Sequence, residues 1–286
     1  MAGQREIQCR HFIDCAICPM PTATAFPALP ASLLELIQTA HPSWHAALRA
    51  GLEAIQQADP AYLGTLAQDD YLPTEGRLFA AFQQPLDQVR YVLVGEGPYP
   101  RAASATGVCF MDGAVGSLWS DKGLSKQVNR ATSLRNFMKM LLVADGRLQA
   151  GNTSGDALAG IAAQAQADVQ GTIQTLADLQ DNLTAQGFLL LNASLVFRAH
   201  VAPLKDARAW KPFFETVLRA LAEHGQAQHR PLPTLVLWGK IAEQLHSLPL
   251  VEQFPRAVAE HPYNLSFIEH SGMQALFGAM QLLKKK

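Results

Sequence analysis

The spacing of apolar residues changes several times along the chain, and each change marks an element. SLLELIQTA and WHAALRAGLEAIQQA place apolar residues three and four apart, which is one face of a helix, and RLFAAFQQP carries a shorter amphipathic turn. At VRYVLVGEGPYP the pattern becomes a continuous run of β-branched and aliphatic residues that stops at a Gly/Pro cluster. A buried parallel strand delivers a loop to its carboxyl end in this way. FLLLNASLVF and TLVLWG repeat the pattern, and helical stretches such as SLRNFMKMLLVADG and PFFETVLRALAEHG stand between them. Strands alternating with helices predict an α/β fold with a mostly parallel sheet. Residues 1–28 read as an irregular Cys/Pro-rich arm, and 29–286 as a single domain. The segments GRLQAGNTSGDALAGIAAQAQADVQG (146–171) and DGAVGSLWSDKG (112–123) are Gly-containing with little hydrophobic mass, and read as surface excursions.

Composition narrows the classes. A chain of 286 residues, 49% hydrophobic and 16% charged, is ample for one large core and marginal for two. No stretch approaches the roughly eighteen apolar residues that cross a bilayer, and MAGQREIQCRHF lacks a secretory pattern, so a cytoplasmic protein with no membrane partner is expected. A net charge of −1 argues mildly against nucleic acid, because phosphate neutralisation draws on clustered Lys and Arg. Backbone amides, hydroxyls and a local basic face hold phosphates all the same. Of four cysteines, Cys9, Cys15 and Cys18 cluster with His11 as Cys-x-His-x3-Cys-x2-Cys. The ligand types suit zinc or an iron–sulfur cluster, yet a terminal group without a second spaced pair is a weak motif, so reduced thiols without metal or cofactor are expected.

Polar residues gather at predicted strand ends: Glu96 and Tyr99 in GEGPYP, Asn192 in LLLNAS, and His261 in AEHPYNLS after the WG turn. Ends of a parallel sheet converge on one crevice. An amide, a phenol, a carboxylate and an imidazole at one mouth suit recognition of a planar heterocycle and polarisation of its carbonyl. Taken singly each has a plainer reading: Asn192 as a strand-end cap, Tyr99 and Phe110 as core, His261 as a loop histidine before Pro262, Glu96 as a loop carboxylate bonded to backbone amides.

From about Trp44 to Leu283 the chain resembles the uracil-DNA glycosylase superfamily, closest to its main bacterial and eukaryotic branch. SWHAALRA, YLPTEGRLFAAF, VRYVLVGEGPYP, ATGVCF, TSLRNFMK, GFLLLNASLVFRAH, AWKPFFETVLRAL, LVLWGKIA and HPYNLS follow the family's order. The resemblance implies a three-layer α/β/α fold with a four-stranded sheet, and a monomeric, cofactor-free, monofunctional base-excision repair enzyme that flips uracil out of DNA and hydrolyses its bond to deoxyribose. It implies that Asn192 reads the base edge, Phe110 stacks on it, Tyr99 excludes thymine's methyl group, Gly95 belongs to the substrate site, and His261 donates to the uracil O2. Leu265 resembles the wedge that fills the gap in the stack, and Ser133 and Ser266 resemble hydroxyls on flanking phosphates.

The chain departs from the pattern in its water-activating motif. GEGPYP stands for the usual G-Q-D-P-Y-H, so Gly97 occupies the place of the water-positioning aspartate and Pro100 that of the final histidine. Two expectations follow: Glu96 holds the water instead, as the GEGP run resembles the thermostable, iron–sulfur branch, or hydrolysis proceeds more slowly with leaving-group stabilisation alone, as in branches with an uncharged residue there. In the wedge loop Tyr263 and Asn264 replace Ser-Pro. Competing expectations are a DNA-binding damage sensor that has lost hydrolysis and a glycosylase shifted to another deaminated base. An unrelated nucleotide-binding protein is disfavoured, since no G-x-G-x-x-G or P-loop follows a strand.

Overall fold

The computed structural model describes residues 28–285 apart from 247. Cys9, His11, Cys15 and Cys18 lie outside the described residues. Helices α1 (Ala31–Ile37), α2 (His45–Ala58) and α3 (Tyr62–Leu66) and a 3-10 turn at Arg77–Phe82 lead into β1 (Tyr91–Gly95). A hairpin, β2 (Trp119–Ser120) and β3 (Gly123–Leu124), follows, then α4 (Lys126–Arg130), α5 (Thr132–Ala144), α6 (Gly155–Ala167) and α7 (Leu176–Ala185). The chain continues as β4 (Phe188–Asn192), α8 (Pro203–Ala227), β5 (Thr234–Trp238), α9 (Lys240–His246), β6 (Arg256–Ala259), a 3-10 turn at Leu265–Glu269 and α10 (Ser271–Gly278).

The four long strands run parallel in the order β4-β1-β5-β6, so the expected sheet is present and is parallel throughout. Apolar runs are needed because both faces are covered. Val92 and Val94, Leu189 and Leu191, and Leu235 and Leu237 point into one core with Trp44, Trp210 and Phe213. Leu93, Phe188, Leu190, Val236 and Trp238 point into the other, against Phe137 and Phe277. The period-2 alternation of a strand thus splits each hydrophobic run between two layers of helices. After β1 the chain adds β4 on one side and later β5 on the other, so the topology reverses at β1 and opens a crevice above its carboxyl end.

Both predicted surface excursions contribute residues to the core while keeping an exposed face. Ser154 caps α6 by accepting from the Ala157 amide, and the helix buries Leu158, Ile161, Ala162 and Ala165 against the β2–β3 hairpin. Small residues let it lie close, which is why its hydrophobic mass looked low. In the other segment Leu118 and Trp119 are buried, and the Trp119 indole donates to the Ile173 carbonyl at 2.7 Å. The strand β6 carried no readable signal: Arg256 and Val258 are exposed at this sheet edge, and Ala259 is its one fully buried residue. ATGVCF is a looped segment held to β4 by the Cys109 amide donating to the Leu190 carbonyl at 3.0 Å.

A buried ion cluster fixes the loop beyond β4. Arg198, 4% exposed, donates through Nε and Nη2 to Asp206 and through Nη1 to Asp69 at 3.0 Å, and the Tyr62 hydroxyl donates to Asp206 at 2.8 Å. His200 meets the same Asp69 oxygen at 3.0 Å. The FRAH sequence therefore ties the β4 loop to α3 and to the first turn of α8. We predict that Arg198→Met, by stranding the buried Asp206 carboxylate, lowers unfolding free energy by about 3–5 kcal/mol in urea denaturation.

Candidate active site at the strand ends

A cavity of about 250 Å³ opens above β1, and Gly95, Glu96, Tyr99, Phe110, Ser133, Asn192 and His261 all line it. Seven of the nine residues singled out in the sequence are thus brought to one place. Leu265 and Ser266 are not in the cavity; they stand exposed on the loop that carries His261.

Asn192 is placed by register. It pairs with Gly95 across the β1–β4 ladder, and a Cβ on Gly95 would lie 2.7 Å from the Asn192 Oδ1 and 2.6 Å from the Cys109 Sγ. Only glycine leaves room for the carboxamide to turn over the strand end. Asn192 is 4% exposed, and among the described residues its side chain has no hydrogen-bond partner. An amide that opens into a cavity and takes no partner among the described residues is free to bond what enters.

Phe110 adopts φ +68°, a conformation costing a bulky residue of order 1–3 kcal/mol that persists only where surroundings over-determine it. Its ring is held edge-on against Phe137 and Trp238, with centroids 5.3 Å away in each case. The Thr106 hydroxyl bonds the Met111 carbonyl at 2.9 Å, and the Tyr99 hydroxyl lies 3.5 Å from the Phe110 carbonyl. Burial holds the Tyr99 phenol protonated, far above its ordinary range, and pushes the Cys109 thiol up to about 12, so this cysteine is an inert neutral group.

His261 arrives from the opposite side, beyond β6. The left-handed Gly239 lets it approach, since a Cβ there would lie 2.8 Å from the His261 Cβ. The Tyr263 amide donates to His261 Nδ1 at 3.1 Å, so the neutral ring carries its proton on Nε2. Partial burial lowers the imidazole pKa, and the Glu96 charge opposes that in part. The ring is therefore neutral at pH 7, with an N–H donor to offer.

Glu96 is exposed at the cavity mouth. Its carboxylate has no hydrogen bond from an amide among the described residues, which removes the plainer reading of a loop carboxylate satisfied by backbone. Its backbone is fixed, because the Ser194 amide donates to the Glu96 carbonyl at 3.1 Å. Gly97 needs no glycine: a Cβ there would meet the Ser194 oxygen at 3.7 Å and the Ser194 Cβ at 3.8 Å, ordinary contacts. Ser133 sits in the first turn of α5, which no side chain caps.

One functional residue escaped sequence reasoning. Asn136, fully buried on α5, donates to the carbonyls of Pro262, Tyr263 and Asn264 at 2.7, 3.2 and 3.3 Å. It pins the loop that carries His261 and Leu265. The available signal was a polar residue within the apolar stripe SLRNFMKML.

No protein-family model matches the chain. A uracil-DNA glycosylase of Corynebacterium glutamicum is 30% identical over 230 residues, covering 79% of this chain and 81% of that one. The chain belongs to the uracil-DNA glycosylase family. A uracil-DNA glycosylase of Thermobifida fusca is 28% identical over 241 residues, 84% of this chain and 85% of that protein. The crystal structure of the wild-type UNG from Nitratifractor salsuginis superposes with a TM-score of 0.78 at 38% identity, covering 89% of this chain and 96% of that one.

We predict that His261 titrates, by ¹⁵N NMR, below the ordinary histidine value of about 6.5, and that the neutral ring shows the Nε2–H tautomer. Asn136→Ala is expected to broaden the loop resonances and to cost about 1–3 kcal/mol, the scale of buried polar groups left unpaired.

Proposed function

We propose that this protein releases uracil from DNA by hydrolysing the N-glycosidic bond and leaves an abasic site. The observation that carries the proposal is the Asn192 carboxamide, without a hydrogen-bond partner among the described residues and lining a cavity with room for a single nucleoside. An amide donates and accepts at once, which matches the edge of uracil and opposes that of cytosine. Phe110 offers the base a ring surface, and Tyr99 closes the side on which thymine carries its methyl group.

As the C1′–N1 bond breaks, the sugar gains oxocarbenium character and the base gains negative charge. His261 Nε2–H donates to the uracil O2, and a preorganised donor of this kind is worth roughly 2.7–4 kcal/mol. Water adds at C1′ and gives a proton to the Glu96 carboxylate, while the bonding electrons leave with the base. The exposed, unbonded state of Glu96 and the charge it exerts on His261 support this role. Leu265, 66% exposed, enters the stack in place of the extruded nucleotide. Ser133, Ser266 and the exposed Lys240 at the start of α9 hold flanking phosphates, so binding does not require a basic total charge. One chain supplies every group, consistent with action as a monomer.

The test is alkali cleavage of abasic sites after incubation with uracil-containing oligonucleotides. Strand breaks at uracil are expected with the wild type and should be lost in Asn192→Ala and His261→Ala. Glu96→Gln should lower single-turnover release by about 10²–10⁴-fold, the usual range for a proton-transfer group. Adding Gly97→Asp to that variant should recover part of the rate, because the space at 97 admits a side chain. Absence of breaks at enzyme excess would sink the uracil assignment and redirect the search to other deaminated bases or to binding alone.

The pH dependence has a defined sign. Protonating His261 places a proton on Nδ1, facing the Tyr263 amide donor, and breaks the bond that orients the ring. Because the folded pKa is lowered, release should stay level from pH 8 down through about 6.5 and fall only below it. An acid limb centred at or above the ordinary imidazole value would contradict the neutral-donor role.

A further inference from the structure

We infer that Tyr263 is a second wedge, whose ring stacks on the base flanking the extruded nucleotide and makes the enzyme depend on it most when the substrate is duplex. The inference rests on the glycosylase reading above and extends it to a residue that replaces a small serine in the family's loop pattern.

The geometry carries the argument. Tyr263 is 67% exposed and Leu265 66%, the two highest values among the exposed large hydrophobic residues described. Exposure of a single apolar side chain is ordinary; two such residues on one loop at the mouth of a base-sized cavity are not. Asn264 between them, with φ −78° and ψ 140°, has polyproline-like backbone, and the side chains on either side of it both stand in solvent. Among the described residues, the Tyr263 ring stacks on no aromatic side chain and its hydroxyl has no hydrogen-bond partner.

Nor is the loop free to fold the ring away. Asn136 holds the carbonyls of 262, 263 and 264, and the Tyr263 amide is spent on His261 Nδ1. The Asn264 amide donates to the His261 carbonyl at 2.9 Å. Phe267, fully buried and edge-on to Trp238 at 5.4 Å, anchors the far end. A rigid backbone that keeps an unpartnered aromatic ring in solvent has prepared it for a flat partner, and the partner that reaches this loop is a base. Stacking on an aromatic ring accepts any base, so the contact adds grip without sequence preference. In duplex the wedge must hold an opened stack against re-pairing, whereas a single strand has little stack to restore.

The test compares wild type, Tyr263→Ser and Tyr263→Phe on one uracil-containing sequence as single strand and as duplex. The duplex-to-single-strand ratio of kcat/KM should fall roughly tenfold in Tyr263→Ser, the scale of one base–aromatic stack, and be retained in Tyr263→Phe. A 2-aminopurine placed beside the uracil should be quenched on binding by wild type and Tyr263→Phe but not by Tyr263→Ser. An unchanged ratio in Tyr263→Ser overturns the inference, and so does an equal loss on both substrates, which would trace to His261 through the Tyr263 backbone. If the wild type releases no uracil from either substrate, the glycosylase reading fails. The 2-aminopurine response, which needs binding alone, still decides whether Tyr263 stacks.

Discussion

The site depends on one close approach, that of Asn192 over Gly95. Parallel pairing sets these residues side by side at the last rung of the β1–β4 ladder, and a methyl group at 95 would meet both the Asn192 oxygen and the Cys109 sulfur. The groups around the Asn192 amide on β1 and β4 take their positions from that rung. The ladder runs on past the strands, with the Ala193 amide donating to the Gly95 carbonyl at 2.8 Å and Ser194 to Glu96, so the carboxylate loop is fixed by the strand that presents the amide. The segment bearing Phe110 is hung on β4 through Cys109. A register slip of one residue would turn the amide to the other face and dismantle the proposed recognition and hydrolysis together.

The second half of the site is built independently, on β6 and α5. Gly239 admits His261 from the sheet edge, and Asn136 fixes the loop after it from beneath. A single peptide N–H, that of Tyr263, decides which imidazole nitrogen carries the proton, and partial burial keeps the ring neutral. Orientation and tautomer of the proposed leaving-group donor therefore share one cause, the hydrogen bonding of the loop, while its charge follows from burial. That bonding also keeps Leu265 and Tyr263 in solvent, so the same hydrogen bonds that tune the histidine hold out the residues proposed to enter the DNA stack.

Much of this was legible in the chain. Continuous runs such as YVLVG, FLLLN and TLVLW declare strands covered on both faces, and a Gly/Pro or Asn stop at each carboxyl end points to the crevice. What stayed hidden follows from physics that the residue pattern does not record. The strand β6 is an exposed edge with one fully buried residue, so it shows no hydrophobic run. Helix α6 packs through alanines, whose small size reads as polarity when only hydrophobic mass is weighed. The φ of Phe110 and the bond from Tyr263 to His261 belong to tertiary context. Asn136 was visible as a polar interruption of an apolar stripe, but its three carbonyl partners lie more than a hundred residues away.

In the proposed reaction the departure at Gly97 changes where negative charge resides, not whether it is present. A carboxylate moved one residue back would point to the opposite face of a continuing strand. Here the strand has ended at Gly95 and the chain bends at 96 and 97, so both positions border the cavity. Glu96 also borders a neighbouring cavity of about 490 Å³, which leaves its carboxylate on a ridge open to water from either side. The histidine feels that charge as a partial offset to its burial, so Glu96 and His261 are electrostatically linked across the space where the sugar would sit. In the proposed reaction the positive sugar forms between an anionic carboxylate and the departing base, and the neutral imidazole meets the base from the far side. That order of charges lowers the energy of the separated ion pair without placing a cation on the enzyme, and a glutamate at 96 satisfies it as an aspartate at 97 would.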